Sequence, residues 1–509
     1  MYFECSIILL GVLILLINYY KDIKELIRYR RLSFKFPIAD GNIFFLGNLL
    51  DLASTNEHVF NVVRKWNQSE HLKPAYLATA GPAYFALNVV CPDIVEAIIS
   101  STKHLQKSAI YSWLERWLGL GLLTNTGDSW QARRKILTPA FHFSILQGFI
   151  SLFNDETRKM VKLVKDCHLN TPVNVAPIAS DAALYGINGT SMGIRLDKVE
   201  GGAEYQKNIH KLSNSISLRS VRPWYFNDIF YFFITTAGRY EYKLTNAVHR
   251  FVDDIIKKKA TTFETFNISS DKNYDQLEYQ KKKLALLDLL LNDKIKNNSI
   301  DDQGIRDEVN TFMFEGHDTT AANLTFTLML LACHRKIQDE VYEEIIHILG
   351  TNLEKEPTYN DLQEMSLMER CIKESLRLYP SVPFIGRITS EDIVTKAGII
   401  PKGLSTHIHI YDIHRDPKYW PNPEKFEPSR FLPENCRDRH PYSYIPFSGG
   451  PRNCIGQRFA ILEVKTVLCG ILRNFILEPV DTPETLVLIQ ELILRSRDGV
   501  KIKFVPREK

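Results

Sequence analysis

The chain has 509 residues, 45% of them hydrophobic, which is ordinary for a globular protein and ample for a large core. A net charge of +4 is too small for a dedicated nucleic-acid binder, yet leaves room for a local basic patch facing an acidic partner. The eight cysteines are scattered with no CxxC spacing, which argues against a zinc cluster or a dense disulfide framework; they read as small buried hydrophobes in a reducing compartment.

From Tyr2 to Tyr20 the chain is apolar apart from Glu4, Ser6 and Asn18. That is close to the ~20 residues a membrane-spanning helix needs. Lys21, Lys24, Arg28, Arg30, Arg31 and Lys35 follow, and positive charge there keeps the C-terminal side cytosolic. A cleaved secretory signal is the rival reading; it lacks a basic leader and a small-x-small cleavage site. Residues 1–20 are thus expected to be an anchor, 21–50 a basic connector punctuated by Pro37 and Gly47-Asn48, and 51–509 one catalytic domain.

Helical periodicity dominates from about Glu57 to Ile348. The polar stretch from Thr261 to Lys283 reads as a surface loop. Ser299-Ile300-Asp301-Asp302 has capping-box spacing, with Asp for the usual Glu or Gln, and opens a helix expected to exceed 30 residues. Near its middle, Glu315-Gly316-His317-Asp318-Thr319-Thr320 is poor in helix propensity, and a local rule broken inside a strong element marks function. After Pro380, short β-type runs appear, such as Thr406 to Ile410. Leu492-Ile493-Leu494 and Val500-Lys501-Ile502 flank an Asp498-Gly499 turn, a hairpin signal. The reading is a mainly α protein with small β-sheets.

Phe447-Ser448-Gly449-Gly450-Pro451-Arg452-Asn453-Cys454-Ile455-Gly456 places one cysteine in a Gly/Pro-rich loop ahead of a helical run, Phe459 to Phe475. A helix start and its free N–H groups stabilise a thiolate. Arg452 can pair with a cofactor carboxylate, and Gly450 and Gly456 let backbone approach a flat, bulky group. By itself the loop also suits a structural turn with a buried cysteine. It resembles, position by position, the cysteine loop of cytochromes P450, whose fixed places are filled by Phe447, Gly450, Arg452, Cys454 and Gly456. The resemblance implies the cytochrome P450 fold, a haem b cofactor and Cys454 as the axial thiolate, which favours O–O cleavage.

Three further stretches stand in the family's order. Glu374-Ser375-Leu376-Arg377 puts Glu and Arg on one helix face; by itself such a pair is most often a solvated bridge. The resemblance implies that Glu374 and Arg377 lock with Arg430 as a buried structural core. Trp130 and Arg134, also one face apart, are implied to donate to a haem propionate. Asp318 and Thr319 occupy the place of the family's acid–alcohol pair, which relays protons through relaxed helix hydrogen bonding, with Gly316 leaving room for dioxygen.

Glu308 to Thr320, Leu137 to Phe143 and His440 to Ile455 resemble cytochrome P450 family 4, arthropod members among them. That group includes terminal hydroxylases of fatty acids and related lipids. The resemblance implies a membrane-bound monooxygenase of the endoplasmic reticulum, facing the cytosol. It would take electrons from NADPH through NADPH-cytochrome P450 reductase, with cytochrome b5 as a further partner and a lipophilic substrate. It further implies that Glu315 can form an ester with a haem methyl. Xenobiotics, insecticides and terpenoid hormones suit the same chemistry. An electron-independent haem-thiolate isomerase has no use for the Asp318-Thr319 pair, and a non-catalytic haem protein has no use for the whole set. Segments Ser112–Leu118, Ser215–Ser220, Val382–Ile385 and Gln490–Ile493 are expected to line the pocket. Arg133, Lys135 and Arg458 form a candidate basic patch for a reductase. Asn310 stands where relatives carry Asp, and Leu184 to Thr190 lacks their Cys-Glu pair.

Overall fold

The structure, a computed structural model, describes residues 24, 27–28, 31–80, 84–194, 201–220, 222–270 and 285–507. The expected anchor and most of the basic stretch after it lie outside these residues. Among the described residues, no single helix is long and apolar enough to cross a membrane.

Thr55 opens helix α1 (Asn56–Gln68) by accepting from His58 N. The chain then turns into β1 (Ala75–Ala80) and β2 (Tyr84–Val89), an antiparallel pair. Six helices follow that matter here: α2 (Gly127–Leu137), α3 (Phe143–Cys167), α4 (Val175–Ile187), α5 (Gly202–Ser220), α6 (Thr236–Ser270) and α7 (Asp302–Cys333). Helix α8 (Ser366–Leu378) leads into β3 (Ile385–Ile388) and β4 (Ser405–Ile408). These complete a four-stranded sheet in the order β1-β2-β4-β3, with β2 and β4 parallel. Helix α9 (Gln457–Asn474) is followed by β5 (Phe475–Pro479), β6 (Leu488–Gln490), β7 (Leu494–Ser496) and β8 (Lys501–Pro506). The fold is mainly helical with small sheets.

Helix α7 runs 32 residues and is buried along most of its length, so it is the axis of the molecule. Its first half, with Ile305, Val309, Phe312 and Phe314, packs in one apolar cluster with α2, α5 and α6. Its second half, with Ala321, Leu324, Phe326 and Leu328, packs in another with α3, α4, α8 and α9. Buried all round, such a helix shows little of the 3.6-residue amphipathic rhythm.

Several expectations need correction. The cap of α7 is Asp301, which accepts from Gly304 N at 2.8 Å, while Ser299 bonds back to Asp293. The helix starts one residue after Asp301, so the Ser299 box is out of register. The polar stretch from Thr261 remains helical to Ser270, because no Gly or Pro interrupts α6 after Gly238; residues 271–284 of the expected loop lie outside the described residues. The Asp498-Gly499 turn exists, with Gly499 at φ 80, but it joins two sheets rather than a hairpin. Strand β7 pairs with β6, and β8 pairs with β5 and Val173–Asn174, where Asn174 also accepts from Val500 N. Of the described cysteines, Cys371 and Cys469 are buried, whereas Cys167 is exposed. The connector from Ser33 onward packs on the first sheet: Ala39 N donates to Leu77 O and Asn48 N to Thr79 O.

Candidate active site

The polar step Glu315–Thr320 falls where the two apolar clusters meet along α7. The helix is continuous through it. Two carbonyls there carry an extra side-chain donor. Thr319 Oγ1 donates to Glu315 O at 2.7 Å, and Ser381 Oγ donates to Thr319 O at 2.8 Å. Gly316 does not simply leave a gap: Ile187 of α4 fills the place where its side chain would stand.

A cavity of about 420 Å³ is lined by Glu315, Gly316 and Thr319 from α7 and by Phe447, Arg452, Cys454 and Gly456 from the cysteine loop. Trp130 and Arg134 of α2 line it too. The loop is closed by Cys454 N donating to Phe447 O at 2.9 Å. Gly450 has φ 64 and no room for a Cβ, which would strike Ile99 O. Its glycine thus serves chain packing, not the approach of a flat group. Helix α9 begins three residues after Cys454, with Gly456 at its cap.

The arginines brace this loop. Arg452 is buried, donates to Leu122 O and Asn125 O, and lies 4.5 Å over the Trp130 ring; its Nε has no partner among the described residues. Arg134 donates to Asn453 O and Oδ1 at 2.9 and 2.8 Å. Burial pushes the Cys454 thiol up to about 11, and the Glu315 carboxylate adds to this, against the Gly456 N–H and Arg134. A cation bound to sulfur would favour the thiolate over the thiol.

Sequence reasoning missed part of the wall. Lys107 lies 4.4 Å over the Tyr111 ring, and both line the cavity, as do His407 and His409. Arg387, buried in β3, acts on both Lys107 and Arg452. Burial and then Arg387 hold the Lys107 ammonium well below its usual range, and the same causes bring Arg452 down to about 9. Burial pushes Glu315 up to about 7, opposed by Lys107, Arg452 and Arg134. Three cations, Lys107, Arg452 and Arg134, thus act on one carboxylate, a charge pattern that calls for added anions. Lys107 and Arg387 sit in segments without motif spacing, so only the fold gathers them.

A cytochrome P450 family model matches residues 37–504. The chain is a cytochrome P450. It is 38% identical to cytochrome P450 4c3 of Drosophila melanogaster over 520 aligned positions, covering 100% of this chain and 95% of that one. It is 40% identical to human cytochrome P450 4V2, covering 91% and 88%. The crystal structure of the cytochrome P450DA heme domain superposes with a TM-score of 0.77 at 23% identity, covering 93% and 98%. This cytochrome P450 is a monooxygenase oxidoreductase of family 4 resemblance, and the family implies haem b.

The residues fit that group. One cysteine lines a cavity that Lys107, Arg134 and Arg452 also line, with Glu315 the one carboxylate acting on all three, and the buried Nε of Arg452 has no partner among the described residues. Two propionates would neutralise these cations, and Trp130, Arg134, Arg452 and Lys107 line the place for them. Thr319 lines the cavity, but Asp318 does not. The Asp318 carboxylate is buried on another face of α7 and accepts from Arg495 at 2.5 and 2.6 Å. Glu374, Arg377 and Arg430 lie apart from the cavity and together. Arg377 Nε and Nη2 each meet Glu374 at 2.8 Å, Arg430 Nε is 3.2 Å from it, and Arg377 donates further to three backbone carbonyls. Each of the four expected pocket segments contributes side chains, including Trp113, Ile216, Phe384 and Leu492. Lys135 and Arg458 are exposed, but Arg133 is turned inward against Gly304 of α7 and leaves the basic patch.

Proposed function

We propose that this cytochrome P450 inserts one atom of dioxygen at the unhindered end of a fatty acid or related lipid. NADPH supplies the electrons through NADPH-cytochrome P450 reductase, with cytochrome b5 as a second donor. The observation that carries this reading is the carboxylate of Glu315 in the wall of the cavity, beside Gly316 and Thr319 on α7, with the Cys454 loop lining the same cavity. Bound haem supplies oxygen activation. Cys454 would hold its iron, and Trp130, Arg134, Arg452 and Lys107 would hold its carboxylates. The Thr319 hydroxyl, fixed on Glu315 O, hands protons to the reacting oxygen, and Asp318 replenishes it. Trp113, Leu114, Ile216 and Phe384 keep water out and accept an alkyl chain.

Glu315 would be the residue that ties a haem methyl as an ester, a two-electron oxidation of the methyl C–H for which dioxygen activated during turnover would be the oxidant. A tethered haem stiffens the cavity and favours attack at the chain end over weaker internal C–H bonds. In this reading residues 1–20 anchor the chain in the endoplasmic reticulum membrane, 21–50 connect, and 51–509 face the cytosol. Exposed apolar side chains support a lipid-facing side: Phe44, Phe45, Ile229 and Phe233 are each at least 70% accessible.

The test is turnover of a series of saturated fatty acids with purified reductase, followed by acid denaturation and chromatography. The expected result is NADPH consumption matched by terminal alcohol, with haem eluting on the protein. Glu315→Ala should release the haem and raise internal hydroxylation. Haem that elutes wholly free after turnover removes the ester, and absence of NADPH-driven product from every chain removes the substrate class.

A further inference from the structure

The four-stranded sheet has two unlike faces, because residues alternate between them along each strand. On one face Leu77, Leu87, Ile385 and Ile408 pack in an apolar cluster. On the other, the register sets Ala78 beside Ala86, Asn88 beside His407, and His407 beside Gly386. Ala78, Ala80, Ala86, Asn88, His407 and His409 line the cavity, and so do Val63 and Trp66 of α1. The small side chains of β1 and β2 thus leave an arm of the cavity between this sheet face and α1. Neighbouring strands lie about 4.8 Å apart, so the arm crosses roughly 14 Å from β1 to β3. At the β1 end, Ala80 is bridged to Gly47, close in sequence to the exposed Phe44 and Phe45. At the β3 end, Val382 and Phe384 share the cavity wall with the Cys454 loop.

Two histidines stand on this face. Asn88 Nδ2 donates to Ala86 O at 3.3 Å, which turns its Oδ1 to His409 Nε2, 2.8 Å away. His409 Nε2 therefore carries the hydrogen, and its Nδ1 is an acceptor with no bond among the described residues. His407 has only a long contact, 3.5 Å from Nε2 to Ser405, so its ring keeps a hydrogen to donate. The Phe384 ring stacks on His409 at 22° and lies 5.8 Å from His407. Burial holds His407 down to about 4; burial, then His407 beside it, holds His409 to about 3. Lys107 and Tyr111 line the same cavity but act on neither ring. Asn88 on β2, Gly386 on β3 and Trp66 on α1 bring no charge. Two neutral rings thus offer one donor and one acceptor to whatever enters the arm.

We propose that His407 and His409 are the specificity site for the carboxyl end of a fatty acid, whose hydrocarbon then runs past Phe384 and Val382 towards Thr319. The His407 N–H donates to one carboxyl oxygen, and the other oxygen meets His409 Nδ1. That nitrogen is an acceptor, so the pair needs one hydrogen more than a carboxylate brings. Binding therefore takes one proton from solvent. The proton rests on the carboxyl, as a neutral acid against a neutral ring, or on His409, as an ion pair; the count is the same. No electron moves in this step. A lone carboxylate between neutral rings is too costly to bury, which is why the proton comes with it. A fatty alcohol has the same donor and acceptor and needs no proton. The inference rests on the lipid oxidation proposed above and names the end of the lipid that the sheet recognises.

The experiment uses the full-chain holoenzyme and three probes with one alkyl chain: dodecanoic acid, 1-dodecanol and dodecane. Affinity is read from the haem spin-state change, and proton uptake from calorimetry in two buffers of different ionisation heat. Dodecanoic acid should bind with uptake of one proton, its affinity falling about tenfold per unit between about pH 6.5 and 8; 1-dodecanol should bind without uptake. His407→Phe keeps a ring and removes the donor. It should weaken the acid and the alcohol about tenfold and leave dodecane within about twofold. Asn88→Leu with His409→Leu removes both partners of one bond together, which spares the fold, and should abolish proton uptake. Acid that binds without proton uptake in the wild type overturns the site. So does His407→Phe if it shifts all three probes alike, as a merely structural role would. If the acid binds with its proton and His407→Phe weakens it, yet reductase and NADPH yield no product, the oxidation reading falls and the site stands. If product forms while His407→Phe moves the three probes alike, the site falls and the oxidation reading stands. Should the double variant fail to fold, His407→Phe and the wild-type proton count decide.

Discussion

At the scale of single residues, Cys454 lines the cavity at the start of α9, where an iron bound to its sulfur would displace the thiol proton. Cys454→Ser should therefore abolish the strongly red-shifted absorption band of the reduced carbon monoxide complex; survival of that band in the variant would show that another group holds the iron. Glu308 is a second buried carboxyl whose role the sequence does not announce. It accepts from Leu122 N at 3.0 Å, and burial pushes it up to about 8. Its folded pKa lies above its unfolded value, so its stabilising effect is fully present below about pH 4.5 and is lost as pH rises through 8. The loss is on the order of 3–5 kcal/mol. Glu308→Gln keeps an acceptor for Leu122 N and cannot ionise. Denaturant midpoints of the two proteins should therefore diverge in favour of the variant between pH 5 and 8.5; parallel curves would mean that Glu308 does not titrate there.

At the scale of elements, termini were harder to place than elements. The long helix was legible because no strong breaker interrupts residues 302–333 apart from two glycines, Gly304 and Gly316. Its start was misplaced because Ser299, Asp301 and Asp302 can each cap, and only the bond from Gly304 N selects Asp301. Asp301→Ala should cost about 1 kcal/mol in unfolding free energy, whereas Ser299→Ala should change the cap not at all. Equal losses in urea titrations of the two variants would contradict this assignment. The Asp498-Gly499 turn was legible for the same local reason, since φ 80 suits glycine. Its hairpin was not, because strand partners are chosen by distant segments such as Val173–Asn174.

At the scale of the whole molecule, the fold decides which charges remain on the surface. Lys135 and Arg458 stay exposed, while Arg133, on the same helix as Lys135, is drawn against α7. Reversing Lys135 and Arg458 together to Glu should slow reduction by the reductase and flatten its dependence on salt, measured by stopped flow. Unchanged rates at low salt would remove the patch as a docking site. The sequence by itself determined the family, the cysteine loop, the long helix with its polar step, and the segments that line the cavity. These rest on local order: a fixed spacing of glycines, a cysteine and an arginine, or an uninterrupted run of helix formers. Only the tertiary structure decided that Lys107 joins Arg134 and Arg452 around one carboxylate, and that Asp318 is held by Arg495. Arg495 and Asp318 are 177 residues apart, and a contact between distant residues leaves no periodicity or spacing in the chain to read. It arises from packing, where a buried charge must find its counter-ion wherever the fold brings one.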